Sequence, residues 1–309
     1  HQMQRKMNES DPLPITMRYD QYRSGTRDFV PYSDGKLPDS IELKEVFDFI
    51  TSDNPQAKVE MQDGEVVNYL PTKNFKLTIN PDDVVKNGVI TPDQKSRLAD
   101  KMEWKFTGNY LTKDNIAMMD ILVHNNWKRP ICFTATMSNK DLNGLQSYLY
   151  KEGFVYHLIP FKPGDQNQRQ AKVNTKVMYE NVVNKFKYGN FKRAKYLDEQ
   201  STNLFYPFIT STYLELTQNL MQEGRNDLAL NALHKYDKEM PDIYPYAGIA
   251  QSKYFIIDTA YKLHDKSTAN KYMANLDSYL TDQLDYHYNL MQDGRADVGG
   301  QTVQLEISG

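Results

Sequence analysis

The run Asn219-Leu-Met-Gln-Glu-Gly-Arg-Asn-Asp227 returns almost letter for letter as Asn289-Leu-Met-Gln-Asp-Gly-Arg-Ala-Asp297. The copies stand 70 residues apart, twice 35. A period near 35 marks chains that stack helical hairpins, where one hairpin is too small to bury its apolar face and leans on the next. The C-terminal half is therefore read as helices in pairs, an architecture that more often presents a surface to a partner than performs a reaction.

Gly224 takes the turn between the two helices of one hairpin, with Ala229 five residues on and Pro241 seventeen on. One step back, Gly189-Asn190-Phe191 has Ala194 five residues on, and Pro207 falls one residue past the expected stop. A step forward reaches His264 with Ala269 five on, and the next reaches Gly294. Each position has a physical reason. Glycine accepts the left-handed backbone that ends a helix, alanine lets the second helix approach closely, and proline stops it. Tyr213, Leu216 and Leu220 share one face of a first helix, opposite Leu233 on the second. The third copy departs from the pattern with His264-Asp265, and Val298-Gly299-Gly300 would cut the fourth short.

Over residues 171–298 this resembles the tetratricopeptide repeat. The resemblance implies a ligand-bearing concave side along the first helices: Tyr179, Val183, Phe186 and Lys187 in one copy, Leu214, Gln218, Met221 and Gln222 in the next, and Tyr254, Asp258, Tyr261 and Lys262 in the third.

Residues 1–165 follow a different grammar. Pro38-Asp39-Ser40 reads as a helix start, with Ile41, Leu43, Val46, Phe47 and Ile50 as its apolar face. Alternating stretches at 58–62, 65–70 and 73–79 read as short strands broken by turns such as Asp63-Gly64. Thr91-Pro92-Asp93 opens a helix. Thr112 caps another that Asn125-Asn126 ends, before Trp127-Lys128-Arg129-Pro130 turns into a strand at 131–136. A helix at 142–150 and a strand at 154–159 repeat that order. The expectation is an α/β domain (mixed sheet with helices) over 1–165. A polar stretch with Pro160, Pro163 and Gly164 follows, and then an all-α, tetratricopeptide-like helical repeat domain over 166–309.

Composition bounds the function. The chain has 309 residues, 39% hydrophobic and 25% charged, with a net charge of -3 and a mean hydropathy of -0.70. No basic block points to nucleic acid. No apolar run is long enough to cross a membrane, and no signal peptide opens the chain. Twenty-two tyrosines, each an apolar ring with a hydroxyl that tolerates water, suit thin helical cores. Cys132 is the single cysteine, so no internal disulfide forms, and its apolar setting predicts a buried side chain.

Two runs carry a second resemblance: Tyr22-Arg-Ser-Gly-Thr-Arg-Asp-Phe-Val-Pro-Tyr32, and Tyr110 through Phe133 with Asn125-Asn-Trp-Lys-Arg-Pro130 at its centre. They resemble the soluble C-terminal region of a bacterial inner-membrane protein family of unknown function related to protein O-mannosyltransferase-like glycosyltransferases. The resemblance implies a periplasmic module attached to a parent membrane domain, with a protein or glycosylation acceptor as partner. It carries over no catalytic residue, because the family's chemistry belongs to the membrane part.

No metal-ligand spacing, P-loop, nucleophile elbow or dinucleotide fingerprint is present, so neither metal nor cofactor is expected. His157 reads as a satisfied strand residue. Arg18, Arg23 and Arg27 with Tyr32, and with Tyr19 and Tyr22 nearby, could hold an anion or a sugar. The alternatives to a non-catalytic module are a stand-alone periplasmic enzyme acting on glycans or phosphoesters, and a free scaffold protein.

Overall fold

A computed structural model describes residues 12–34, 40–138, 142–163, 172–243 and 247–292. Contacts divide the chain into two units, His1–Asn174 and Thr175–Gly309.

Among the described residues, the first unit holds four small sheets. Strand β1 (Val30–Pro31) pairs antiparallel with β7 (Tyr110–Leu111). Strand β5 (Asn74–Thr78) runs between β2 (Ile41–Glu42), parallel to it, and β6 (Lys101–Lys105), antiparallel. β3 (Lys58–Glu60) and β4 (Val66–Asn68) form a hairpin. The fourth sheet is ordered β11 (Lys172–Val173), β9 (Leu149–Lys151), β10 (Val155–Leu158), β8 (Cys132–Thr134), with only β11 and β9 parallel. These are mixed sheets, and the last continues beyond the polar stretch that follows residue 160. Pro38, Asp39 and residues 164–171 lie outside the described residues.

Burial follows the side-chain periods. In β6, Met102 and Trp104 point inward while Lys101, Glu103 and Lys105 face water; Trp104 meets Phe75 edge to face, ring centres 5.7 Å apart. Helix α1 (Leu43–Thr51) buries Leu43, Val46, Phe47 and Ile50, the face that its spacing predicts. It starts later than Pro38-Asp39-Ser40 implies, because Ile41–Glu42 is spent as a strand on β5. Helix α2 (Lys113–His124) begins after Thr112, in a reciprocal cap with Asn115.

The expected helix at 142–150 is absent. Asn143 and Gly144 are both left-handed, with φ of 52° and 90°. A Cβ on Gly144 would lie 2.2 Å from the Lys105 carbonyl oxygen, so only glycine fits against β6. The chain then makes one 3-10 turn, Leu145–Tyr148, and enters β9. Cys132 is exposed rather than buried, because alternation along β8 turns Phe133 inward.

The second unit is helical. Helix α3 (Tyr206–Gln222) and α4 (Asn226–Glu239) form one hairpin, and α5 (Ala247–Lys262) and α6 (Lys266–Gln292) another, with α3 also packed on α5. The two turns are built alike. Gly224 (φ 73°) donates to the Met221 carbonyl at 3.0 Å, and Arg225 to Leu220 at 2.8 Å. His264 (φ 62°) donates to Tyr261 at 3.0 Å, and Asp265 to Ala260 at 2.9 Å. This pair of bonds satisfies the helix's last carbonyls. Ala229 and Ala269, five residues past each turn, are fully buried.

The earlier copy is not a hairpin. Helix Thr175–Tyr179 widens into a π-type stretch, Glu180–Lys185, and Gly189 is left-handed, but only a 3-10 turn, Phe191–Arg193, follows. Ala194 is exposed. Lys192 reaches the Asp237 and Met240 carbonyls at 2.9 and 2.6 Å, so this segment closes the end of α4 instead of forming a helix. Pro207 stops nothing: it sits in the first turn of α3, after the π-type stretch Ser201–Phe205, where the widened turn absorbs a missing N–H. Helix α6 runs 27 residues without a break where the second helix of the third hairpin and the first helix of a fourth are expected. Gly294 and residues 298–300 lie outside the described residues.

His264 holds with a side chain the backbone that Gly224 holds without one. Left-handed backbone costs a non-glycine residue roughly 1–2 kcal/mol, part of which glycine returns through its freer unfolded chain. His264→Gly is therefore expected to raise stability by about 0.5–1 kcal/mol in urea unfolding. A lower midpoint would show that the exposed imidazole contributes more than the turn costs.

Candidate functional site

The arginine–tyrosine segment does not converge on a ligand. The Arg27 side chain is 3% exposed. Its Nε donates to the Ile50 carbonyl at 3.1 Å, and Nη2 donates to Thr51 at 2.8 Å, Ser52 at 3.2 Å and the Asp53 carboxylate at 2.9 Å. These carbonyls end α1 and have no partner within the helix. Arg27 thus closes α1, and no fork remains for an anion. Arg18 pairs with Asp20 at 3.1 Å in full solvent, and that pairing holds the Asp20 carboxyl below its ordinary range. Arg23 is exposed, and its carbonyl accepts from Lys113 at 2.8 Å. Tyr32 lies under the Lys73 ammonium, 4.7 Å from the ring centre.

These bonds make residues 25–29 a fixed loop. Arg27 adopts φ 53° and Gly25 φ 80°. Asp28 accepts from the Gly25 N–H at 2.8 Å and pairs with Lys113; the ammonium first and the N–H second hold its carboxyl below the usual range. Past the loop, Val30 enters the core and Phe29 turns out, 41% exposed. Its ring leans on Tyr110, itself 48% exposed, with centroids 4.7 Å apart. The loop and the β3–β4 hairpin flank a cleft of about 490 Å³, with Lys58, Met61, Asp63, Glu65 and Val66 on the hairpin side. Phe29 and Tyr110 both stand in the runs that carry the second resemblance. The available signal was Phe29 lying out of phase with Val30 at a strand start.

In the second unit, Gln218 and Gln222 on α3 are exposed, as are Tyr254, Tyr261 and Lys262 on α5. Asp258 is half-buried and bonds Lys262 at 2.7 Å. Tyr261 donates to Asn270 at 2.9 Å. Leu214 and Met221 are half-buried. The earlier copy contributes less: Val183 is buried, Phe186 is half-buried, and the Tyr179 hydroxyl accepts from Asn231 of α4 at 2.6 Å, leaving Lys187 exposed.

The Trp127 unit is a helix terminator. Asn126 and Trp127 have φ of 47° and 58°. The Asn125 amide donates to the Arg129 carbonyl at 2.7 Å, and Trp127 is buried. Two successive left-handed residues without glycine are uncommon, which makes the phrase a specific one. Residues 1–177, which include it, match the family described as TMEM260-associated domain 2. The chain belongs to that family. The matched region takes in all four sheets of the first unit, and the helical hairpins lie beyond it. No curated protein and no solved structure matches the chain.

Among the described residues, no group of three or more His, Cys, Asp or Glu stands where it could hold a metal. His157 differs from its expected satisfied state. Nδ1 lies 3.2 Å from Glu152 Oε2, but Nε2 is buried with no partner among the described residues.

Proposed function

We propose that this chain is a non-catalytic module of a membrane glycosyltransferase-like protein, held in the periplasm beside its parent membrane domain. Its helical unit acts as a tetratricopeptide-like surface for a protein or glycosylation acceptor. The observation that carries the surface is the pair of hairpins with one turn design, stacked through their first helices, with Gln218, Gln222, Tyr254 and Tyr261 left facing water. Stacked hairpins keep a face clear along the first helices. The family match and the Trp127 unit support membership of a larger membrane-associated protein. No helix among the described residues is long and apolar enough to cross a membrane, which fits a role outside the bilayer.

The test is capture of a defined acceptor or parent segment by the full chain, compared with Gln218→Ala/Gln222→Ala/Tyr254→Ser. These side chains are exposed, so the fold is expected to persist in circular dichroism while retention falls at least fivefold. Equal retention by the triple variant would remove the helical face from the reading.

A further inference from the structure

We infer that the cleft beside residues 25–29 is a binding site for a neutral sugar ring. It lies in a different unit from the helical face and does not depend on it. The cleft's volume of about 490 Å³ falls within the range of small-molecule sites, roughly 300–1,000 Å³.

The chemistry of the lining selects the ligand. The two charges of the loop, buried Arg27 and exposed Asp28, are already compensated, Arg27 by Asp53 and Asp28 by Lys113. These pairs leave no net charge on the loop side, and the buried guanidinium has no free face for a phosphate or carboxylate. On the opposite wall, Lys58 and Glu65 are exposed to solvent. Asp63 spends one oxygen on the Glu65 N–H, at 3.1 Å. The wall offers one ammonium, Lys58, and two carboxylates, Asp63 and Glu65. A hydroxyl is both donor and acceptor, so a polyol can use both at once, whereas a simple ion would meet repulsion from one of them.

The aromatic pair supplies the second element. Phe29 is held in water by a loop whose backbone Arg27 and Asp28 fix at several points. A rigid, exposed ring at the lip of a polar cleft costs little further ordering when a ligand arrives. The C–H face of a pyranose packs on such a ring while its hydroxyls turn to the polar wall. Val66, 58% exposed on the hairpin side, offers the cleft a second apolar surface.

The experiment is saturation-transfer NMR on the full chain with D-mannose, D-glucose and N-acetyl-D-glucosamine at millimolar concentration, followed by titration. Transfer to at least one sugar is expected, and Phe29→Ala and Glu65→Ala are each expected to weaken it fivefold or more. Tyr254→Ser should leave it unchanged, which separates this site from the helical face. Three results would overturn the inference: no transfer from any sugar; transfer unaffected by both variants; or cleft resonances that move with N-acetyl-arginine amide or inorganic phosphate but not with the sugars.

Discussion

Asp120→Ala is expected to cost about 3–5 kcal/mol and to free the chain's early segment. Asp120 sits on the apolar face of α2 beside Ile116 and Met119, and no part of it is exposed. Its carboxylate accepts from the Thr16 N–H at 2.7 Å, the Thr16 hydroxyl at 2.9 Å and the Met17 N–H at 3.1 Å, and His124 Nδ1 lies 2.7 Å away. Removing it strands these donors around a cavity, each costing about 1–3 kcal/mol unless water reaches it. Urea unfolding measures the total, and hydrogen exchange at Thr16 and Met17 localises it. A loss under about 1 kcal/mol with those amides still protected would mean that the segment is held by something else.

The second large effect lies in the helical unit. Tyr236 is buried between Tyr213 and Tyr272, with ring centres 5.4 and 6.4 Å away, and its hydroxyl bonds Thr210 at 2.9 Å and Tyr206 at 3.2 Å. Tyr236→Ala is expected to cost about 3–5 kcal/mol through the cavity it opens. Tyr236→Phe keeps the ring and should cost about 1–2 kcal/mol. Burial first, and neighbouring tyrosines after it, push the Tyr236 hydroxyl well above the ordinary tyrosine value; burial leads the same rise at Tyr188, Tyr213 and Tyr272. The sign follows. The unfolded chain loses these protons near pH 10 while the fold retains them, so stability is intact below pH ~10 and falls above it, by up to about 1.4 kcal/mol per pH unit for each tyrosine. Tyr236→Phe should make the alkaline slope of unfolding shallower; an unchanged slope would place the ionisation elsewhere.

Much of this was legible where the cause is local. The spacing of Leu43, Val46, Phe47 and Ile50 predicts their burial, and Thr112 and Asn125 bound α2 as their cap chemistry requires. The turn at Gly224 and the close approach at Ala229 follow from residue size alone. The 101–105 strand carries the same kind of local signal, Met102 and Trp104 alternating with charges. What could not be read is set by distant partners. Nothing near Arg27 in the chain shows that carbonyls at 50–52 will consume it, and nothing near Gly144 shows that Lys105 will press against it. His264 shows the converse, since a neighbour-built turn can impose glycine's backbone on another residue. The cleft is half legible: the arginines mark the segment in the sequence, whereas it is Phe29 that stands at the cleft's lip.

The pairing of β1 with β7 bears on how the chain is made. Val30 leaves the ribosome about 80 residues before its partner Leu111. At roughly 5–20 residues per second, that strand spends on the order of 4–16 s with its edge open. The hairpins of the second unit, each held mainly by contacts between successive helices, can close as they emerge, and only the packing of α3 on α5 has to wait for the second hairpin. During synthesis the first unit is therefore the slow and vulnerable one, and a chaperone that shields its early strands would serve it more than the helical tail.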